Sequence, residues 1–312
     1  MNRYVTAAAS LLVLAACRKA EPRPAAVAAA VPHDSFTVAD SFKTPESVLY
    51  DSVMDVYIVS NVNGAPGVKD NNGFLSRVGT DGRVVELHWV DGGRDSVTLN
   101  APKGMGIRGD TLFVADIDAV RMFDRTTGHP LGSQPIAGAS FLNDIDVAPD
   151  GAVYVSDTGV KPDFSPAGTD AVYVRRGSPA FRALARGRAL GGPNGVLADS
   201  AGVTVVTFGS GEAYHLDLQG HRTPLPKPPH GQLDGVVRMH DGSLLISSWA
   251  DSSVVMMAPG SMMYAVVERN MPSPADIGWD ARRHRLLIPL FTQNRIEVRP
   301  VGMGMAASAH AQ

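Results

Sequence analysis

The stretch Pro193-Asn194-Gly195-Val196 belongs to a four-residue cassette that recurs six times, with successive copies beginning 40 to 57 residues apart. In every copy the first residue is Pro or Leu, the third is Ser, Gly or Asp, and the fourth is apolar. Only the second residue varies freely, and along the chain it is Glu46, Lys103, Asn143, Asn194, Asp234 and Ala275. A position that the repeat does not need for its own fold, and that is rich in side-chain oxygens, is a candidate for a functional site.

The repeats also predict the fold. A period of this length suits one four-stranded propeller blade per repeat. Behind the cassettes lie short β-branched or aromatic runs bounded by Asp-Gly and Gly turns, such as residues 153–157 and 244–248, which is the pattern of strands in hairpins. No stretch has the apolar period of a long helix. We therefore predict an all-β fold, a six-bladed β-propeller with four-stranded blades.

The sixth repeat is one strand short. After the runs at 285–290 and 295–298, the chain enters a tail rich in Gly, Met and Ala. Upstream of the first cassette, residues 35–39 form an isolated strand-like run, and we predict that it closes the last blade. The propeller is accordingly expected to span residues 34–301, followed by a flexible tail at 302–312.

The N-terminal sequence is typical of an export signal. Asn2-Arg3 precedes an apolar stretch, residues 5–14, that is too short to span a bilayer permanently. It ends in Leu14-Ala15-Ala16-Cys17, which resembles the lipobox of bacterial lipoproteins, although an ordinary signal with a chance cysteine is the alternative. We expect a signal peptide at 1–16, a lipidated Cys17 with a Pro/Ala-rich tether at 17–33, and attachment to the outer membrane, facing the periplasm, through the lipid alone.

Composition argues against several function classes. The formal net charge is −3 and no long run of Lys or Arg is present, so nucleic acid is not an expected partner. Cys17 is the only cysteine, the nine His lack metal-ligand spacing, and no Gly-x-Ser-x-Gly motif occurs. Zinc binding and serine-esterase chemistry are therefore not expected.

Propeller symmetry predicts where the side chains at the variable cassette position lie. The innermost strands of all blades begin at the same end of the central channel, so the six second residues should converge on one mouth. Glu46, Asn143, Asn194 and Asp234 would supply only oxygen ligands with a total charge of −2, which suits a hard cation. Calcium is the expected metal, with magnesium or manganese as alternatives. Without a cation, Glu46 and Asp234 would repel each other, which raises a carboxyl pKa.

Other interpretations of these residues remain open at this stage. Lys103 either pairs with Glu46 in a metal-free site or lies back and meets an anionic substrate. The Asn residues could instead cap turns. Asp116 and Asp157 end second strands, where Asp caps a turn or approaches the channel. The polar loop at 61–73 is either a lid over the mouth or a plain surface loop.

The order Glu46, Asn143, Asn194, Asp234 in repeats one, three, four and five resembles the gluconolactonase and regucalcin (senescence marker protein) family over about residues 40–300. The resemblance implies a six-bladed propeller with a divalent metal at the top of the channel. It implies that Glu46, Asn194 and Asp234 hold the metal, that Asn143 contacts metal or substrate, and that Asp234 is also the base. Where the family often has Arg this chain has Phe141, so specificity for sugar lactones is not implied.

The function implied is metal-dependent hydrolysis of a small-molecule lactone or ester. In it the cation polarises the carbonyl and Asp234 assists attack by water. Asp234 is the candidate catalytic residue, and Asn143 and Lys103 are the candidate substrate-binding residues. The alternative is a non-catalytic propeller resembling NHL-repeat proteins, which docks a peptide, glycan or partner protein and in which any metal is structural. The fold alone does not choose between them.

Overall fold

The computed structural model describes Met1, residues 35–39 and residues 41–302. The expected signal peptide, Cys17 and the tether fall outside these residues, as does the tail beyond Gly302. Within the described residues, no helix has the length and apolar character needed to cross a membrane. The only helices among them are two single 3₁₀ turns, Arg188–Leu190 and Phe291–Gln293.

Six antiparallel sheets of four strands each form the blades of a β-propeller. Blade 1 comprises β2 (Pro45–Asp51), β3 (Val56–Asn61), β4 (Phe74–Gly79) and β5 (Val84–Asp91). Blade 2 comprises β6 (Pro102–Arg108), β7 (Thr111–Asp116), β8 (Ala119–Asp124) and β9 (Pro130–Pro135). Blade 3 comprises β10 (Leu142–Val147), β11 (Val153–Asp157), β12 (Ala171–Arg175) and β13 (Arg182–Arg186).

The second half of the ring repeats this plan. Blade 4 comprises β14 (Pro193–Ala198), β15 (Gly202–Thr207), β16 (Ala213–Asp217) and β17 (Arg222–Pro224). Blade 5 comprises β18 (Leu233–Arg238), β19 (Leu244–Ser248), β20 (Ser253–Met257) and β21 (Ala265–Glu268). Blade 6 comprises β22 (Gly278–Asp280), β23 (Arg285–Leu290), β24 (Arg295–Pro300) and β1 (Phe36–Val38).

The predicted closure of the last blade by an N-terminal strand is confirmed. Strand β1 pairs antiparallel with β24, with Val38 opposite Ile296 and Thr37 opposite Glu297. The Thr37 hydroxyl donates to Glu297 Oε2 at 2.7 Å. On the inner side of the ring, the Asp276 amide donates to the Glu46 carbonyl at 2.9 Å. The first and last repeats are therefore joined at both the outer and the inner strands, which closes the ring.

The core is divided among the spaces between blades. Six apolar clusters each join two neighbouring blades, and together they fill all six interblade spaces. Each sheet therefore buries both of its faces. This explains why the sequences of the inner three strands are mostly apolar instead of alternating between apolar and polar residues. A seventh small cluster, Val62, Ala101 and Ile117, lies where the strands of blades 1 and 2 end and packs against Phe291.

Candidate functional site at the channel mouth

The recurring cassette is a β-bulge at the start of the inner strand. In blades 1 to 5 the pairing with the second strand shifts within the cassette, for example between Pro193 and Val196 and between Leu233 and Val236. A bulge leaves residues unpaired and can re-aim a side chain. The second cassette residue is therefore released from the pleat of the sheet and directed toward the channel.

In three cassettes the third residue is glycine, which allows neighbouring cassettes to approach closely. A Cβ on Gly195 would lie 2.2 Å from the Asp234 carbonyl oxygen, and one on Gly235 would lie 2.3 Å from the Ile277 amide nitrogen. No side chain fits at such distances, so glycine is required wherever the next blade crosses this tightly. The close crossing also brings the second residues of adjacent blades together around the axis.

A cavity of about 690 Å³ opens at this end of the channel. Five of the six second cassette residues line it, namely Glu46, Lys103, Asn143, Asn194 and Asp234. Each is buried, with at most 6 % of its surface exposed. The sixth, Ala275, is fully buried and does not line the cavity, and its cassette precedes β22 instead of lying within it.

Among the described residues, four buried side-chain oxygens of the cavity lining have no hydrogen-bond partner. They are Glu46 Oε2, Asn143 Oδ1, Asn194 Oδ1 and Asp234 Oδ1. Unpaired buried acceptors are costly, so their concentration at one point calls for a ligand that supplies positive charge or donors. The residues that own these atoms are the four oxygen donors of the variable cassette position.

Asn143 is oriented by its neighbours. Its Nδ2 donates to Thr158 Oγ1 at 2.9 Å, and the Thr158 hydroxyl donates to the Pro193 carbonyl at 2.8 Å. These two hydrogen bonds determine which end of the Asn143 carboxamide is the nitrogen, and they leave Oδ1 facing the cavity. Support of this kind behind a ligand residue is common in metal sites.

The chemistry of the donor set fits a hard divalent cation. The four atoms are carboxylate and carboxamide oxygens, which calcium and magnesium prefer. Within the described residues, no three His, Cys, Asp or Glu side chains form a metal-ligand group. A cation here would therefore depend on the two Asn oxygens as much as on the two carboxylates.

Burial and mutual repulsion raise the carboxyl pKa values at the mouth. Burial raises the pKa of Glu46 well above its usual range, and the charges of Asp234 and Asp276 add to the increase while Lys103 opposes it. Burial, with the charge of Asp144, raises the pKa of Asp234 to about 8. The Trp249 indole N–H lies close enough to the Asp234 carboxylate to oppose this increase in pKa. It does not, however, form a hydrogen bond with any acceptor of the described residues.

Lys103 does not pair directly with Glu46. Its Nζ donates to the Ala101 carbonyl at 3.1 Å and lies 4.4 Å from the centre of the Phe141 ring. No carboxylate oxygen of the described residues lies within 4.0 Å of this nitrogen. Burial lowers the pKa of Lys103, opposed chiefly by the charge of Glu46. Of the two sequence-based alternatives, the ion pair is absent, and the ammonium lies back against an aromatic ring in the cavity wall.

Asp116 and Asp157 are turn caps. Asp116 accepts the amides of Asn100 and Ala101, and Asp157 accepts those of Ser140, Phe141 and Gly159. These bonds hold the turn that precedes each cassette. Neither carboxylate lines the cavity, so both residues support the site from behind.

The carboxylates deeper in the channel are already partnered. Asp144 accepts the Ile145 amide at 2.6 Å and the Val196 amide at 2.7 Å, and Asp276 accepts the Ser47 hydroxyl. These bonds tie the inner strands of neighbouring blades together. The contrast with the unpartnered oxygens at the mouth separates structural carboxylates from candidate ligands.

Part of the loop at 61–73 forms a section of the cavity wall. Pro66 lines the cavity, and Gly67 approaches Pro162 of blade 3 so closely that a Cβ would lie 2.7 Å from its Cα. Lys69 forms an ion pair with Asp118 of blade 2. The loop therefore reaches over the mouth from blade 1 and contacts two other blades.

No protein-family model and no curated protein sequence matches the chain. Among solved structures, a gluconolactonase from Xanthomonas campestris superposes with a TM-score of 0.65 at 19% identity, covering 86% of this chain and 89% of that one. The chain shares the fold of gluconolactonase propellers.

Structures named for another activity have the same fold. A streptogramin B lyase superposes with a TM-score of 0.60 at 9% identity, covering 85% of this chain and 96% of that one. A catalytically inactive virginiamycin B lyase from Staphylococcus aureus, solved with quinupristin, gives 0.57 at 11% identity, covering 86% and 99%. At identities this low, the similarity to the gluconolactonase structure, like the similarity to the lyases, establishes only the architecture. Function has to be argued from the residues of the site.

The structure also places residues in the cavity that the cassette pattern did not single out. One residue directly follows the second strand of every blade at the mouth, and the series runs Val62, Ile117, Thr158, Phe208, Trp249 and Phe291. The last four line the cavity. Counting one residue past each second strand would have revealed this second convergent position from sequence.

Proposed function

We propose that the protein is a metal-dependent hydrolase that opens a lactone or cleaves an ester at the channel mouth. The observation that carries this proposal is the set of four buried, unpartnered oxygens on Glu46, Asn143, Asn194 and Asp234. They fit a divalent cation, with calcium favoured and magnesium or manganese as alternatives. The shared fold with a gluconolactonase gives this chemistry a precedent.

The four candidate ligands would hold the cation, and Asp234 would also act as the base. A divalent cation, when bound by these four side chains, supplies positive charge that polarises the substrate carbonyl. Asp234 in its ionised form accepts a proton from the attacking water as the water oxygen bonds to the carbonyl carbon. The acyl C–O bond then breaks, and the leaving oxygen takes up that proton, giving a hydroxy acid from a lactone or an acid and an alcohol from an ester.

Asn143 and Lys103 orient the substrate. The Asn143 carboxamide is fixed by Thr158, so it presents one defined face to a bound molecule. The Lys103 ammonium, held against Phe141 and without a carboxylate partner, offers a positive charge to the carbonyl oxygen or to a substrate carboxylate. The newly formed carboxylate would also be attracted to it.

Metal content and lactone hydrolysis, measured on the same purified protein, test this proposal. We expect one divalent ion per chain and turnover that stops in chelator, returns with calcium, and is lost in Asp234→Ala. Asp110→Asn, an exposed carboxylate in the β6–β7 turn, is the matched control and should behave as wild type. Metal-independent turnover, or turnover retained by Asp234→Ala, would contradict the proposed chemistry.

The second candidate is a binding propeller without catalysis. The observation in its favour is the aromatic lining of the cavity, which suits a peptide, glycan or partner protein as well as a small substrate. Stoichiometric metal without hydrolysis of any lactone or ester would favour this alternative, with the cation as a structural plug.

The proposed cellular context is export and anchoring by lipid at Cys17. This proposal rests on the sequence of residues 1–33 alone. Cys17→Ser should abolish lipid labelling and release the protein from the membrane fraction. An unchanged fractionation of that variant would refute anchoring through this cysteine.

A further inference from the structure

The walls of the cavity are aromatic on two sides. On blades 4, 5 and 6, the Phe208 and Trp249 ring centres lie 5.7 Å apart, and those of Trp249 and Phe291 lie 5.6 Å apart. On blade 3, the Phe141 and Phe164 ring centres lie 6.0 Å apart. All five side chains line the cavity that holds the candidate metal ligands. The contiguous set Phe208, Trp249 and Phe291 is termed the aromatic wall below.

The aromatic wall remains accessible. Each of its three side chains is only half-buried, although the strands that they directly follow, β15, β19 and β23, are buried throughout. Partly exposed aromatic surface inside a concave cavity is apolar area that a ligand can cover. The buried ends of the strands hold the rings in place, so the wall is pre-organised for binding.

Donors for sugar hydroxyls are few near the metal ligands. Beyond the candidate ligands and Lys103, the polar side chains that line the cavity are Thr158, Asp170, Arg188, Ser210 and Trp249. The Thr158 and Ser210 hydroxyls already donate to the Pro193 carbonyl and to Glu212, and Asp170 accepts the Gly192 amide at 3.0 Å, so Arg188 and the Trp249 indole are the main donors left. Phe141 lies beside Lys103, and its ring offers no hydrogen bond to a hydroxyl. A polyhydroxylated ring bound here would leave several hydroxyls without partners, which is unfavourable.

We propose that the substrate is an apolar lactone or ester with an aromatic ring, which the aromatic wall holds while the carbonyl faces Asp234 and Lys103. This inference rests on the proposed hydrolase function and specifies its substrate class. It predicts discrimination against sugar lactones, because the cavity lining offers few free hydrogen-bond partners for their hydroxyl groups. It also makes Phe208 a specificity-determining residue that does not touch the reacting atoms.

Binding and turnover are measured separately, so that the two proposals can fail separately. Chroman, which has the ring system of dihydrocoumarin but no carbonyl, serves as the binding probe, with quenching of tryptophan fluorescence as the readout. Dihydrocoumarin and glucono-δ-lactone serve as the substrates in calcium. Trp249→Phe assigns the quenching to the wall, and Trp89→Phe, on the outer strand of blade 1, is the matched control.

We expect saturable quenching by chroman that disappears in Trp249→Phe and persists in Trp89→Phe. Phe208→Ala, which keeps the Trp249 reporter, should weaken chroman binding and raise the KM for dihydrocoumarin by about tenfold to a hundredfold, since one buried aromatic contact is lost. The kcat should change much less, because Phe208 does not contact the reacting atoms. In the wild type, kcat/KM should be higher for dihydrocoumarin than for glucono-δ-lactone.

Three outcomes decide the matter. Calcium-dependent turnover that favours glucono-δ-lactone would overturn the substrate class and leave the hydrolase function standing. Absence of turnover together with Trp249-dependent chroman binding would support the aromatic site and refute the hydrolase. No quenching by chroman at millimolar concentration, or equal quenching in Phe208→Ala, would overturn the inference even if a lactone is hydrolysed.

Discussion

The substitution Asp234→Asn should change stability in opposite directions with and without a bound cation. In chelator, the wild type buries Asp234 near Glu46 and Asp144, and no basic side chain of the described residues lies within 4.0 Å of its carboxylate. Burial raises the pKa of Asp234 to about 8. A carboxyl whose pKa is raised in the folded state favours folding only while it is protonated. The metal-free wild type should therefore lose stability as the pH rises from about 4 toward about 8.

The size of the effect follows from the two pKa values. The pKa of Asp234 is about 8 in the folded state and an ordinary 3.8 in the unfolded state, so folding at pH 7 requires the carboxylate to take up a proton. This uptake lowers the free energy of unfolding by up to about 4 kcal/mol relative to a neutral side chain. Asparagine keeps the shape and removes the charge, so Asp234→Asn should stabilise the chelator-treated protein by about 2 to 4 kcal/mol. Calcium at a hundred times its Kd should stabilise the wild type by about 2.7 kcal/mol and the variant by much less.

Urea denaturation followed by circular dichroism, in chelator and in calcium, measures both effects. Asp110→Asn is the control and should stay within about 0.5 kcal/mol of wild type in either buffer. The stability of Asp234→Asn in chelator should also vary less with pH between 4 and 8. A variant that is less stable than wild type in chelator, or that gains as much stability from calcium as the wild type does, would refute the idea that ionised Asp234 is destabilising unless a cation is bound.

Further predictions concern the scaffold. Gly235→Ala would place a Cβ 2.3 Å from the Ile277 amide nitrogen, and we expect a loss of at least about 3 kcal/mol in urea denaturation, whereas the same change at exposed Gly177 should have a smaller effect. Val38→Ala in the closing strand should cost about 2 kcal/mol, measured in the same way, because a fully packed side chain loses two carbons. The Arg283 guanidinium lowers the pKa of Asp55 to about 2, so the stability difference between wild type and Asp55→Asn should be complete above pH 4 and vanish as the pH falls toward 2, in urea titrations at several pH values.

Much of the architecture could be predicted because it repeats. The spacing of the cassettes, the Asp-Gly turns and the missing strand of the sixth repeat predict a closed six-bladed ring, and the pairing of β1 with β24 confirms the closure. The convergence of Glu46, Asn194 and Asp234 follows from the same symmetry. These features depend on the register of the repeats, which the sequence carries directly.

The details of the site depend on contacts that repetition does not specify. That Asn143 presents its oxygen follows from a hydrogen bond to Thr158, the one hydroxyl residue at a position that is aliphatic or aromatic in the other five blades. That Lys103 stacks on Phe141 instead of pairing with Glu46 depends on side-chain packing between two blades. Phe208 and Trp249 follow second strands at one repeated position, so repetition could have located them, but that they line the cavity instead of the core depends on its shape.

Calcium binding to the chelator-stripped protein, measured by isothermal titration calorimetry, tests the central claim most directly. We predict one ion per chain for the wild type and for Asp110→Asn, and affinity at least about tenfold weaker in Glu46→Gln and in Asn194→Ala, since each removes one of the four unpartnered oxygens or its charge. Absence of calcium, magnesium or manganese binding at millimolar concentration, or binding that both variants retain unchanged, would contradict the claim that these four side chains form a cation site.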